Sequence, residues 1–257
     1  MRRARVGTQR AELRTFVTKP HPAMAYGKLY LIPTPLGEDG LHALPGYWLP
    51  VLHRLDYFIA ERAKTARRFI KSTAPERPIS VLHFEELNKR TAESDIDGFL
   101  QPLLDGHDVG LLSEAGCPGV ADPGSAVVAR AHRLDIEVVP LVGPSSILLA
   151  LMASGMNGQG FSFVGYLPPK QPMLGKELQR LEAVARRHRS TQIFIETPYR
   201  NRTLVEHLLR TLAPQTRLCI AADLTLPTEY IRTRSIADWS TQPPPDLHKR
   251  PAIFLLL

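Results

Sequence analysis

The sequence predicts an α/β protein built as two layered lobes. Short apolar runs recur along the chain, each followed by a turn and then by a stretch with helical spacing. Glycines at 155, 158 and 160 interrupt that alternation near the middle. Four strand-ends carry unusual turns: P-T-P-L-G at 33–37, S-E-A-G-C-P-G at 113–119, G-P-S-S at 143–146 and E-T-P-Y-R at 196–200. Loops at the carboxyl ends of strands are where an open α/β sheet takes its ligand.

Lys28–Pro33 is the first expected strand, and Tyr57–Ala60, ending at Glu61, is the second. Between them, Pro45, Gly46 and Pro50 leave Leu41–Leu52 irregular or partly helical. Thr65–Ile70 reads as a basic helix, Ile79–His83 as a third strand and Glu93–Leu104 as a helix closed near Gly106. Val109–Leu112 is a fourth strand, which feeds the stretch around which the chain is organised, L-L-S-E-A-G-C-P-G-V-A-D-P-G at 111–124. Pro118 and Pro123 fix φ there, while Gly116, Gly119 and Gly124 permit backbone closed to other residues. A helix begins around Ala126, and Ile136–Val142 is a fifth strand. Ser145 then caps an apolar helix running to Ser154, which reads as buried between layers.

The second half opens with the strand Phe161–Tyr166, followed by a helix at Glu177–Arg189 and a strand at Gln192–Ile195. Thr197, Pro198 and Tyr199 read as the cap, first-turn proline and start of another helix. Leu218–Ala222 and Ala252–Leu257 complete the expected strands. The division is therefore a basic tail at 1–26, a first α/β domain at 27–155 and a second at 156–257.

The 257 residues are 44% apolar, ample for a core. No run is long and apolar enough for a membrane span. Cys117 and Cys219 lie far apart, without metal-type spacing, which favours a reducing cytoplasm over a disulfide framework. The formal charge of +7 invites a polyanion partner, but residues 1–24 hold +5 of it and leave the folded part nearly balanced. That tail reads as disordered, or as lying ahead of a true start at Met24. G-x-S-x-G, the P-loop pattern and G-x-G-x-x-G are all missing. The residues alone thus reach a ligand site between two lobes and no further.

From Gly27 onward the chain resembles the tetrapyrrole methylase superfamily of S-adenosylmethionine-dependent methyltransferases, nearest the ribosomal RNA small subunit methyltransferase I branch. L-Y-L-I-P-T-P-L-G at 29–37, S-E-A-G-C-P-G-V-A-D-P-G at 113–124 and V-P-L-V-G-P-S-S at 139–146 carry the likeness. A-S-G-M at 153–156, F-V-G-Y-L-P-P-K at 163–170 and I-F-I-E-T-P-Y-R-N at 193–201 extend it. The resemblance implies two α/β domains with S-adenosylmethionine in the cleft between them, in a homodimer. Carried over by position, Leu36 sits in the first loop near the cleft, Gly116, Cys117, Pro118 and Ala121 would line the cofactor, Ser145 and Ser146 would meet its other side, and Glu196, Thr197, Ala221 and Ala222 would supply the second domain's contacts.

The resemblance further implies a ribose 2′-hydroxyl of ribosomal RNA, on the small ribosomal subunit, as acceptor. Its alternatives are a porphyrinoid acceptor, or a cofactor-binding protein without turnover. A hydroxyl acceptor benefits from a base. Glu61 is the first candidate, against a salt bridge to Arg62 or Lys64, and His83 the second, against a packed or surface role. Lys170, Arg200, Arg67 and Arg68 are candidates for RNA phosphates, against a solvated basic face. The acceptor-side runs P-L-G-E-D-G, A-E-R-A-K and H-F-E-E-L-N depart from the branch's P-I-G-N-L-E-D, A-E-D-T-R and H-E-H-N.

Overall fold

The computed structural model describes residues 25–88 and 90–257; the expected basic tail lies outside them but for Ala25 and Tyr26. Two five-stranded sheets form the frame. The first contains β1 (Leu29–Ile32), β2 (Tyr57–Ala60), β3 (His83–Glu86), β4 (Val109–Leu112) and β5 (Val138–Pro140), in the order β3-β2-β4-β1-β5. Its pairings are all parallel. All the carboxyl ends therefore open on one edge, and the turns after β1, β2, β4 and β5 emerge side by side. The uninterrupted burial of β4 is what a parallel strand covered on both faces requires.

Helices cover this sheet. α1 (Leu49–Arg54) and α2 (Ala63–Ser72) pack with Trp48, Phe58 and Ile70 on one face. α3 (Glu93–Phe99), α4 (Gln101–Leu104) and α5 (Gly124–Arg133) pack with Leu29, Ile59 and Leu111 on the other. The helix expected at 93–104 is thus two pieces, and Pro102, which has no N–H to give, sits in the first turn of the second. The strand expected at Ile79–His83 is also corrected. Ile79–Val81 forms a 3-10 turn after Pro78, and pairing with β2 begins only at His83.

α6 (Ser146–Ser154) links the halves. Ser145 caps it by accepting the Leu148 N–H, and Gly155, at φ +65°, ends it. Its tertiary partners are strands of the second sheet, although the expected boundary at 155 assigned it to the first domain. It is not buried all round as expected: Leu148 and Met152, one turn apart, are 51% and 79% exposed.

The second sheet contains β6 (Phe161–Tyr166), β7 (Thr191–Ile195), β8 (Arg217–Ala222), β9 (Tyr230–Ser235) and β10 (Ala252–Leu256), in the order β6-β7-β10-β8-β9. Only β6 and β7 pair in parallel. α7 (Met173–His188), α8 (Asn201–Thr211) and α9 (Ile236–Thr241) cover one face, packed on Phe194, Phe254 and Trp239. β9 and α9 had no sequence expectation, because β9 reads Y-I-R-T-R-S, an edge strand whose arginines mask its period. α8 starts at Asn201, not at Thr197: Thr197–Arg200 closes as a separate turn, with the Arg200 N–H donating to the Thr197 carbonyl at 2.8 Å. No helix among the described residues is long and apolar enough to cross a membrane.

Candidate active site

The turns from both sheets meet around a cleft of 380 Å³. The first wall is backbone. Thr34, just after β1, and Gly116, after β4, form an antiparallel bridge, donating N–H to each other's carbonyl at 2.9 and 3.1 Å. Gly116 holds φ +78°, and a Cβ there would come 3.2 Å from Leu36 Cδ2 and 3.3 Å from the Pro144 carbonyl oxygen. Beyond it, Asp122 Oδ1 accepts the N–H groups of Gly119 and Gly124, both at 2.8 Å, and fixes the tip of the loop. Ala121, a residue with a Cβ, is held left-handed at φ +61° inside that turn.

The second wall is made of side chains. Ile195 on β7 and Ala221 on β8 both pair with Ile253 on β10, so the three lie in one row across the sheet. That row borders the cleft, with Phe163, Leu224 and Ile147 around it. The next row, Phe194, Phe254 and Ile220, faces the helices behind. Asp223 and Glu196 border the cleft with their charges answered: Asp223 accepts from Arg250 Nε at 2.7 Å, and Glu196 pairs with Arg200 at 3.0 Å. The lobes touch nearby, since a Cβ on Gly37 would lie 2.7 Å from Leu226 Cδ1.

Glu61, Glu114 and Asp122 give the cleft a carboxylate side. Burial pushes the Glu61 carboxyl above its ordinary range and the charge of Asp122 adds to this, while a hydrogen bond from the Glu114 backbone pulls the other way. Burial likewise raises Asp122, against the two N–H groups it accepts, and pushes the Cys117 thiol up. A second hollow of 350 Å³ shares Leu36, Ser113, Glu114 and Ala115 with the cleft and runs beneath α2.

Of the residues expected from sequence, Leu36, Glu61, Gly116, Cys117, Ala121, Ser145, Ser146, Glu196 and Ala221 line the cleft. Ala222 does not. One step along β8 turns it to the opposite face, fully buried among Leu204, Leu208 and Phe254. Pro118 is buried outside the lining, and exposed Thr197 gives its N–H to Glu196 instead, at 2.7 Å. His83 is exposed on edge strand β3, its ring stacked on Tyr57 at 5.1 Å, and it is not brought to the cleft.

The basic candidates are placed unevenly. The Arg67 guanidinium sits 4.6 Å over the Phe84 ring, Arg68 pairs with Glu38 at 3.0 Å, and Arg200 is held by Glu196 and the Pro169 carbonyl. Lys170 is exposed. Among the described ion pairs Glu61 has neither Arg62 nor Lys64 as partner. Sequence reasoning left Asp122 and Asp223 without a site role and missed the row Ile195, Ile253, Ala221 as a unit. Only the register of β10 could have revealed that row, because its successive members are 26 and 32 residues apart along the chain.

The cleft fits a cationic nucleoside in kind. It has apolar walls for a base, the capped start of α6 for a carboxylate, and three carboxylates for a positive centre.

Comparison with known proteins agrees with this architecture. A profile of the family Tetrapyrrole (Corrin/Porphyrin) Methylases matches residues 28–239. The chain is 34% identical over 213 residues to ribosomal RNA small subunit methyltransferase I of Mesorhizobium japonicum, covering 82% of this chain and 69% of that one. It is 32% identical over 219 residues to the protein of that name from Pseudomonas aeruginosa, covering 84% and 74%. Among solved structures, the methyltransferase CobJ superposes with a TM-score of 0.60 at 19% identity, covering 90% of this chain and 93% of that one. The cobalt precorrin-4 methyltransferase CbiF gives 0.58 at 14%, covering 93% and 97%. With a backbone wall and a side-chain wall facing each other across the cleft, and with these relatives, the chain belongs to the tetrapyrrole methylase family of methyltransferases, in the group of ribosomal RNA small subunit methyltransferase I.

Proposed function

We propose that this chain methylates ribosomal RNA of the small subunit at a ribose 2′-hydroxyl, with S-adenosylmethionine held in the interlobe cleft. The observation that carries the cofactor is the pairing of the left-handed 113–124 loop with the row Ile195, Ile253, Ala221. The acceptor rests on the relatives named above. Residues Leu36, Gly116, Cys117 and Ala121 would hold the cofactor from one side, Ser145, Ser146, Glu196 and Ala221 from the other. Its sulfonium supplies an already activated methyl group.

The protein's part is then to align the acceptor and to receive a proton. Glu61 is the base in this reading. It borders the cleft, it is not tied up in a described ion pair, and its raised carboxyl brings proton affinity toward the working pH. The charge of Asp122 opposes ionisation of Glu61, and the carboxylates of this side favour a cationic donor. The hollow beneath α2 is the route by which a ribose reaches the cleft. The apolar Leu148 and Met152 on α6 support the expectation that a second copy joins the first.

Two measurements test this. S-adenosylhomocysteine should raise Tm, by about 2.7 kcal/mol of added stability at a hundredfold excess over Kd. Purified small subunits from a deletion strain should accept labelled methyl groups from the protein, on a nucleoside that the parent strain already carries modified. No Tm shift at saturating ligand would overturn the cofactor reading. Transfer to porphyrinoids and not to subunits would overturn the acceptor.

A further inference from the structure

Three loops converge on the rim of the cleft formed by the second sheet. They follow β6 (L-P-P-K), follow β7 (E-T-P-Y-R) and precede β10 (L-H-K-R-P), which runs antiparallel to β7 and so begins at the same edge. They are fastened to one another. The Arg200 guanidinium donates to the Pro169 carbonyl at 2.9 Å while pairing with Glu196, and the Lys249 N–H donates to the Pro198 carbonyl at 3.2 Å. Asn201 Nδ2 donates to the Arg250 carbonyl at 2.6 Å. Lys249 is held left-handed at φ +62° in the process, a conformation that residues with a Cβ seldom adopt.

This rigid frame carries aromatic rings that it does not bury. Tyr199 is 69% exposed and Tyr166 59% exposed, and Tyr166 and Pro198 both line the cleft. The His248 ring stands at 76° to Tyr199 with centroids 5.8 Å apart. Lys170 and Lys249 are exposed on the flanking loops, with Asp246, which accepts the His248 N–H, as the acidic neighbour. Exposed flat rings with cations beside them, on backbone fixed in advance, are what unstacked bases and their phosphates require. A duplex, whose bases are already stacked, offers these rings nothing.

We propose that this rim is a stacking platform for unpaired RNA, with a base against Tyr199 and His248, a second against Tyr166, and phosphates at Lys170 and Lys249. It rests on the RNA reading above and adds the form in which the RNA is taken. Arg200 is a strut of the platform and not a phosphate contact.

Fluorescence anisotropy with a short labelled, unstructured RNA tests it, using the full chain loaded with S-adenosylhomocysteine. Tyr199→Ala should weaken binding about tenfold, while Tyr199→Phe and Tyr199→Trp should bind like the parent. Lys170→Ala and Lys249→Ala should each flatten the slope of log Kd against log salt by about 0.7. Unlabelled duplex should compete poorly. A Tm shift with S-adenosylhomocysteine in every variant shows that fold and cofactor site persist. The platform is overturned if Tyr199→Ala binds normally, if Tyr199→Phe loses as much as Tyr199→Ala, or if duplex competes as well as single strand. Methyl transfer to small subunits is scored separately. Transfer unchanged in Tyr199→Ala removes the platform and leaves the function standing, whereas stacking-dependent RNA binding without any transfer removes the function and leaves the platform.

Discussion

The two walls of the cleft are built from different materials. The first is peptide backbone, bent by Gly116, Gly119 and Ala121 at positive φ and pinned by Asp122 and by the bridge to Thr34. The second is a row of small and branched side chains from strands that meet only in the folded sheet. A backbone wall tolerates almost no change at its left-handed positions, but its few residues are contiguous. A side-chain wall tolerates conservative exchange, yet which residues belong to it depends on register, where one step separates cleft from core.

Four substitutions probe that contrast. Glu61→Gln has the largest expected effect, a loss of about 10²- to 10⁴-fold in kcat with cofactor binding retained. Its stability should move the other way. A carboxyl raised in the folded state favours folding below its unfolded value, near 4.5, and that contribution disappears as pH rises through the folded value. The variant should therefore be slightly more stable than the parent at pH 7, and urea midpoints across pH should converge as pH falls toward 4.5. A variant that keeps full kcat would remove Glu61 from the chemistry.

Gly116→Val comes next. It forces a β-branched residue into φ +78° against Leu36 and Pro144, so it should cost about 1–3 kcal/mol and abolish the S-adenosylhomocysteine Tm shift. Normal ligand binding would mean that the first wall is not a contact surface. Ala222→Leu should cost a similar 1–3 kcal/mol by overpacking the core behind β8, yet keep the ligand shift. Loss of ligand binding at unchanged Tm would put Ala222 back in the cleft. The smallest effect belongs to Arg68→Ala. It breaks an exposed pair with Glu38 and should change stability by less than about 1 kcal/mol in a urea titration.

Much of the frame was legible because parallel strands read as continuous apolar runs: Val109–Leu112 and Tyr57–Ala60 stand in the structure at the expected limits. The first wall was legible for a related reason, since glycine and proline announce backbone that other residues seldom adopt, although Ala121 adopts it here unannounced. Where the signal was side-chain alternation it failed. Arginines hid β9, and Pro198 in a turn imitated the first turn of a helix that begins at Asn201. Leu41–Leu52 proved partly helical, as its broken pattern implied. Ala222 was carried over by position beside Ala221, and the pleat sent the two to opposite faces. His83, attractive for its chemistry, lies on the outermost strand, which no local feature of H-F-E-E-L-N reveals.

The Thr34–Gly116 bridge ties the turn that borders the hollow beneath α2 to the turn that borders the interlobe cleft. Anyone reshaping that hollow by transplanting residues 33–38 from a relative inherits the tie. The graft must bring 113–118 along, or the cleft wall that Gly116 builds will slacken with every exchange in its neighbour.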